Sequence, residues 1–171
     1  ASDVYKRQVQ RDNEYYLSHN YFGEWDSNGT VFLNEMNVFY PRDRILLLHG
    51  HNMRSGAMFG TLAKYEKSDY AFAHALLTFR TLYEEEASHY VPVAAFHASM
   101  LEGEAGYFDV TPMNFDTEEA FQAYLDAALK RSAWTSPAEV STQDELLMLL
   151  TLAPLRTKLA EDEKYSEWYN G

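Results

Sequence analysis

The stretch "RILLLHGH", Arg44 to His51, constrains the fold more than any other. It is a nearly continuous apolar run with no polar alternation, which is the pattern of a buried strand, and Gly50 ends it. A buried strand needs a core around it. A chain of 171 residues is long enough to build one within a single domain. Hydrophobic residues make up 46% and aromatics 15% of the chain, which is globular and not disordered.

Other segments frame that strand. "TVFLN" (Thr30 to Asn34) reads as a short strand entered through a turn at Asn28 and Gly29, two residues that tolerate positive φ. "GAMFGTLAKY" and "SDYAFAHA" suggest short helical turns, with Ser68 as a cap. "LLTFRTLYE" and "HYVPVAAFHASM" read as two β segments, Pro92 marking an edge or bulge. "LEGEAGYFDVTPMNF" is a loop.

The clearest helix covers Thr117 to Arg131, where Phe121, Tyr124, Leu125, Ala128 and Leu129 form one apolar stripe. Asp116 with Glu119 resembles a capping box, and Lys130 and Arg131 suit the negative end of the helix dipole. "DELLMLLTL" (Asp144 to Leu152) is a further buried strand. The expected fold is therefore mostly β, an α+β or barrel arrangement with one long helix late in the chain.

The formal net charge of −12 would repel a phosphate backbone, which argues against nucleic-acid binding. No apolar run of about 18 residues and no secretory signal occurs in this sequence. With no cysteine, disulfides and CxxC metal sites are excluded.

His49 and His51 are the first chemical candidates. Side chains two apart on a strand share a face, so the pair could hold a metal with His97 or His89, but no HExxH-type spacing selects those partners. The favoured expectation is no metal and no cofactor. A GxSxG elbow is absent, and Ser55 lies in no nucleophile turn. Glu84, Glu85 and Glu86 read as a solvated face or turn, and Trp25 and the loop tyrosines as packing or rim aromatics.

"ILLLHGHNMRSGAMFGTLAKY" closely resembles the class B sortases, whose pattern here is a strand ending Tyr/Thr-Gly-His-Asn-Met, followed by Gly-x-Met-Phe-x-x-Leu-x-x-Tyr. "VQRDNEYYLSHNYFGEWDSNGTVFLNEMN", "FQAYLDAALKRSAW" and "STQDELLMLLTL" resemble, in order, the preceding segment, the long helix and the strand that ordinarily ends Thr-Cys in that family. The likeness runs from about Val9 to Leu152, leaving 1–8 as a leader and 153–171 as a tail.

The resemblance implies an eight-stranded closed β-barrel, some strands missing here, with short helices and one long helix near 117–131. It implies a cysteine transpeptidase that cleaves a sorting signal after Thr and passes the acyl group to a cell-wall or pilin amine. It places the protein on the extracellular face of a Gram-positive-type membrane, held by an N-terminal anchor not contained in this sequence. No cofactor is implied. By position His51 is the general acid and base, roles an imidazole suits because it titrates near neutral pH. Asn13, Leu17, Tyr107 and Phe108 fall where the family lines its peptide groove.

The likeness breaks at the nucleophile. Leu152 stands at the Cys position and cannot attack a carbonyl, and Thr151 would point to the opposite strand face. Arg156 is the nearest candidate for the family's oxyanion-binding Arg, without the apolar run that should precede it. The expectation is an inactive chain. An abrupt break at both ends beside an intact middle favours an incomplete or frame-disturbed reading over a degenerate, peptide-binding sortase. A His-based metal barrel is the more distant alternative.

Overall fold

The computed structural model describes residues 13–81 and 84–151. The strand at the centre is β2, Ile45–His49. Ile45, Leu46 and Leu47 are 0 to 1% exposed, which is what an unalternating apolar run requires. On one side β1 (Phe32–Leu33) pairs antiparallel, Phe32 opposite His49 and Leu33 opposite Leu48. On the other side β5 (Leu146–Leu150) pairs parallel, from Ile45 opposite Leu146 to His49 opposite Leu150. A separate hairpin is made by β3 (Leu77–Phe79) and β4 (Ser88–Tyr90). Among the described residues these two ladders are not joined by strand hydrogen bonds.

Helix α1 (Ser68–Ala73) follows a 3-10 turn at Leu62–Glu66. Its N-cap is Lys67 and makes no side-chain capping bond, so Ser68 is the first helical residue and not the cap. Helix α2 is Glu118–Arg131. Thr117, not Asp116, caps it, its side chain accepting from the Ala120 amide at 3.2 Å. Phe121 and Leu125 of the expected stripe are 1% exposed, while Tyr124 and Ala128 pack half-buried on the cluster of Leu47, Phe108, Val110 and Met113.

Beyond Tyr90 the chain leaves the ladder, so only the start of "HYVPVAAFHASM" is a strand. Pro92 lacks an N–H to extend the pairing. The segment is instead tied to the end of α2: Ala95 N donates to Ser132 Oγ at 3.2 Å, and Ala133 N to Ala95 O at 2.9 Å.

A buried polar knot fixes the start of β2. Asn37 Nδ2 donates to Asp43 Oδ2 at 3.0 Å and to Ile45 O at 2.7 Å, while Asn37 Oδ1 accepts from Leu47 N at 2.8 Å. Asp43 also accepts from Val38 N and from Asn114 Nδ2, each at 2.5 Å. Asn37 and Asp43 are 1% and 6% exposed, and a buried carboxylate is tolerable only with such a full set of donors.

Candidate functional site

Gly50 and the decapeptide after it explain the spacing of the His-Gly-His-Asn-Met and Met-Phe blocks. A Cβ on Gly50 would lie 2.8 Å from the Phe59 ring, so glycine is what lets Phe59 pack against the end of β2. The loop then closes on itself: Phe59 N donates to His51 O at 3.0 Å, and Asn52 and Met58 form a bridge. A Cβ on Gly60 would lie 2.1 Å from Met53 O, which no side chain could relieve. These contacts hold the His51 backbone from both sides.

The His51 ring is held by a carbonyl. Its Nε2 lies 2.8 Å from Leu17 O, and a carbonyl only accepts, so Nε2 carries the proton. In the neutral ring Nδ1 is then the nitrogen that can take up a proton. Leu17 ends a 3-10 turn, Tyr15–Leu17, and joins His49, Gly50, His51 and Leu150 around a small cleft of about 30 Å³, room for about one water-sized group. Gly50 N donates to Leu150 O at 3.2 Å, which anchors the end of β5 at this cleft. The following residue, Thr151, has a buried Oγ1 with no hydrogen-bond partner among the described residues.

Of the residues expected at the site, the structure brings Leu17 to His51. Asn13 sits farther back, its Oδ1 accepting from Glu35 N at 2.9 Å. Tyr107 closes a loop whose ends meet at Ser99, and Arg131 donates to its carbonyl at 3.1 Å. Phe108 does not line a groove: at 5% exposure it is core, packed edge-on against Phe96 and covered by the Arg131 guanidinium. Leu152 and Arg156 lie outside the described residues.

The histidines do not converge as a metal would need. His49 Nε2 is taken by Asn34 Nδ2 at 2.8 Å, His97 pairs with Glu66, and His89 faces Thr78. No cluster of three metal-ligating side chains occurs among the described residues. Glu84 corrects the reading of its acidic run: Glu85 and Glu86 are exposed, but Glu84 is bound by Arg42 at 2.5 Å. Trp25 is 72% exposed, a rim and not a packing residue. Residues that sequence reasoning passed over are Asn34, Leu150 and Phe59. For Phe108 a signal was present, since Tyr107-Phe108-Asp109-Val110 alternates and the structure buries Phe108 and Val110 together.

A buried strand ending in a glycine-locked histidine loop, with a parallel strand delivered beside it after a long helix, defines a domain of the sortase type. Sortase B of Listeria monocytogenes is 31% identical over 142 residues, covering 82% of this chain and 54% of that protein. Sortase B of Staphylococcus aureus is 22% identical over 141 residues, with the same coverage of 82% and 54%. The solved sortase B from L. monocytogenes superposes with a TM-score of 0.72 at 28% identity, covering 83% of this chain and 77% of that one. An S. aureus sortase B–substrate complex shares the fold, with a TM-score of 0.74 at 20% identity over 86% of this chain and 64% of that one.

No family model matches. The chain belongs to the class B sortase family. It spans about half the length of the curated relatives it matches.

Proposed function

We propose that residues 9–152 form a sortase unit in which an extended sorting-signal peptide lies across the mouth of the small His51 cleft, and that these residues alone do not turn it over. The observation that carries the reading is His51 itself, with Nε2 committed to the Leu17 carbonyl and the ring set beside the end of β5. That leaves Nδ1 as the nitrogen that exchanges protons: as imidazolium it gives its Nδ1 proton to a leaving amine, and the neutral ring so formed takes one back from an incoming amine. Leu17 is the peptide-facing wall of the cleft, with Asn13 and Tyr107 as outer contacts. The relatives support both partners: S. aureus sortase B has been solved with substrate, and a sortase B with triglycine. Their Gram-positive origin supports a place on the outer face of the cell membrane.

The missing piece is the thiolate. Covalent acyl transfer in this family needs a Cys, the sequence has none, and Leu152 offers no lone pair. The expected outcome is peptide binding without cleavage. A fluorogenic peptide library with a fixed Thr–X scissile bond, assayed with and without triglycine, should give no product. The same peptides should perturb the amide signals of Leu17, Gly50 and His51 in the NMR spectrum. Turnover by the unaltered chain, or binding that leaves those three signals unmoved, overturns the reading.

A further inference from the structure

His49 ends β2 and lines the same cleft as His51. Its ring stacks on Phe32 across the antiparallel pair, centroids 5.1 Å apart and 19° from parallel. The Asn34 amide completes its surroundings, with Nδ2 2.8 Å from His49 Nε2. That amide has one orientation, because its Oδ1 accepts from Met36 N at 2.9 Å and so Nδ2 must face the ring. Nδ2 can only donate. His49 Nε2 therefore accepts, and the proton of the neutral ring sits on Nδ1. Burial acts in the same direction, lowering the pKa of His49 below its ordinary value.

An imidazolium carries protons on both nitrogens and cannot accept, so protonating His49 sets two donors against each other at Asn34. Asn34 is also a corner of the fold. Its N donates to Leu47 O at 2.8 Å, and its carbonyl accepts from Asn37 N at 3.0 Å. Glu35, the next residue, donates from its N to Asn13 Oδ1 at 2.9 Å, at the start of the segment that leads to Leu17.

We propose that His49 is a positioning residue for the His51 cleft: neutral, it locks the Asn34 turn, and protonated, it releases that turn and slackens the Leu17 wall. The groups facing it are Phe32 and Asn34 from the β1 side, Leu150 from β5, Leu17 from the 3-10 turn, and Gly50 and His51 from its own segment. His51 is the titratable one among these. The Glu35 carboxylate is engaged with Asn13 Nδ2 at 3.5 Å. The functional weight of this latch rests on the peptide-cleft reading, while the bond and its titration do not.

The test is imidazole and amide NMR on the full chain between about pH 8 and pH 5, the range in which histidines titrate. At the upper end His49 should show an unprotonated Nε2. On acidification the Asn34 side-chain amide and the Met36 and Leu17 backbone amides should move together with the His49 ring, at a midpoint below the ordinary 6.5. Asn34→Asp offers a carboxylate to the imidazolium and should raise that midpoint by about one to three pH units. His49→Phe keeps the stack and should make Met36 insensitive over this range.

A protonated Nε2 at the upper pH, a midpoint unmoved by Asn34→Asp, or a Met36 titration that persists in His49→Phe overturns the proposal. Peptide binding is read on the same samples. A latch that titrates as described in a protein that binds no peptide at any pH supports the latch and sinks the peptide reading. Peptide affinity unchanged across the latch transition overturns the positioning role.

Discussion

The sheet around β2 and the hairpin β3–β4 are held by different physics. The sheet is held by burial: Ile45, Leu46, Leu47, Phe121 and Leu125 are almost wholly removed from water. The hairpin is joined to the rest through Arg42, whose Nη1 meets Glu84 at 2.5 Å and whose Nε meets Glu145 at 2.7 Å, just before β5. Arg42 Nη2 also donates to the Tyr90 hydroxyl at 3.1 Å. Burial, then its hydrogen bond to Glu145, pushes the Tyr90 phenol up to about 12, so it stays a donor. Apolar burial is indifferent to pH and salt, whereas a partly exposed charge cluster is sensitive to both. The same small molecule thus contains an apolar core held without charges and a hairpin whose attachment depends on them.

Leu47→Ala should break the first region hardest. It removes a 1% exposed side chain from the cluster with Phe108, Val110 and Met113, and a loss of about 2–5 kcal/mol is expected in urea unfolding. The Arg42 region should yield less. Arg42→Met, with side-chain exposure of 21% in the parent, should cost about 1–2 kcal/mol, discounted for solvent from the full penalty of a buried pair. Hydrogen exchange should rise first in β3–β4, leaving β2 protected.

Acid sharpens the contrast. The Thr81 hydroxyl, donating at 2.9 Å, holds the Glu84 carboxyl below its ordinary 4.5, with burial opposing and Arg42 assisting. Its folded pKa is depressed, so its contribution is complete above about 4.5 and is lost as the pH falls through the lower folded value. Hairpin exchange should accelerate in that window, and less so in Thr81→Val. Thr117→Ala removes only the cap of α2 and leaves its buried face in place, so it should cost only about 1 kcal/mol, measured as a small fall in Tm.

What could be read beforehand follows the same division. The β2 strand and α2 were legible because burial writes a local pattern: an unbroken apolar run, and a stripe at helical spacing. Asn34 with His49, and Arg42 with Glu84 and Glu145, were not, because such partners are chosen by the fold and leave no mark in either neighbourhood. The α2 cap was missed by one residue because Asp116 and Thr117 are both good caps, and only the backbone decides which precedes the first turn. The groove position of Phe108 comes from the family resemblance alone, and position along a family pattern does not say which way a side chain faces; the alternation through Val110 points inward.

The parallel pairing of β2 with β5 has a consequence for how the molecule comes into being. His49 and Leu150 are partners although about a hundred residues separate them, and such contacts form late because the intervening chain must first be gathered. Leu150 is a wall of the His51 cleft, so the cleft cannot exist on a nascent chain that has emerged only as far as α2. The histidine loop, by contrast, closes through contacts local in the chain, Phe59 N to His51 O and Asn52 with Met58. The order of synthesis therefore keeps the histidine and its facing wall apart until nearly all of the described chain has been made.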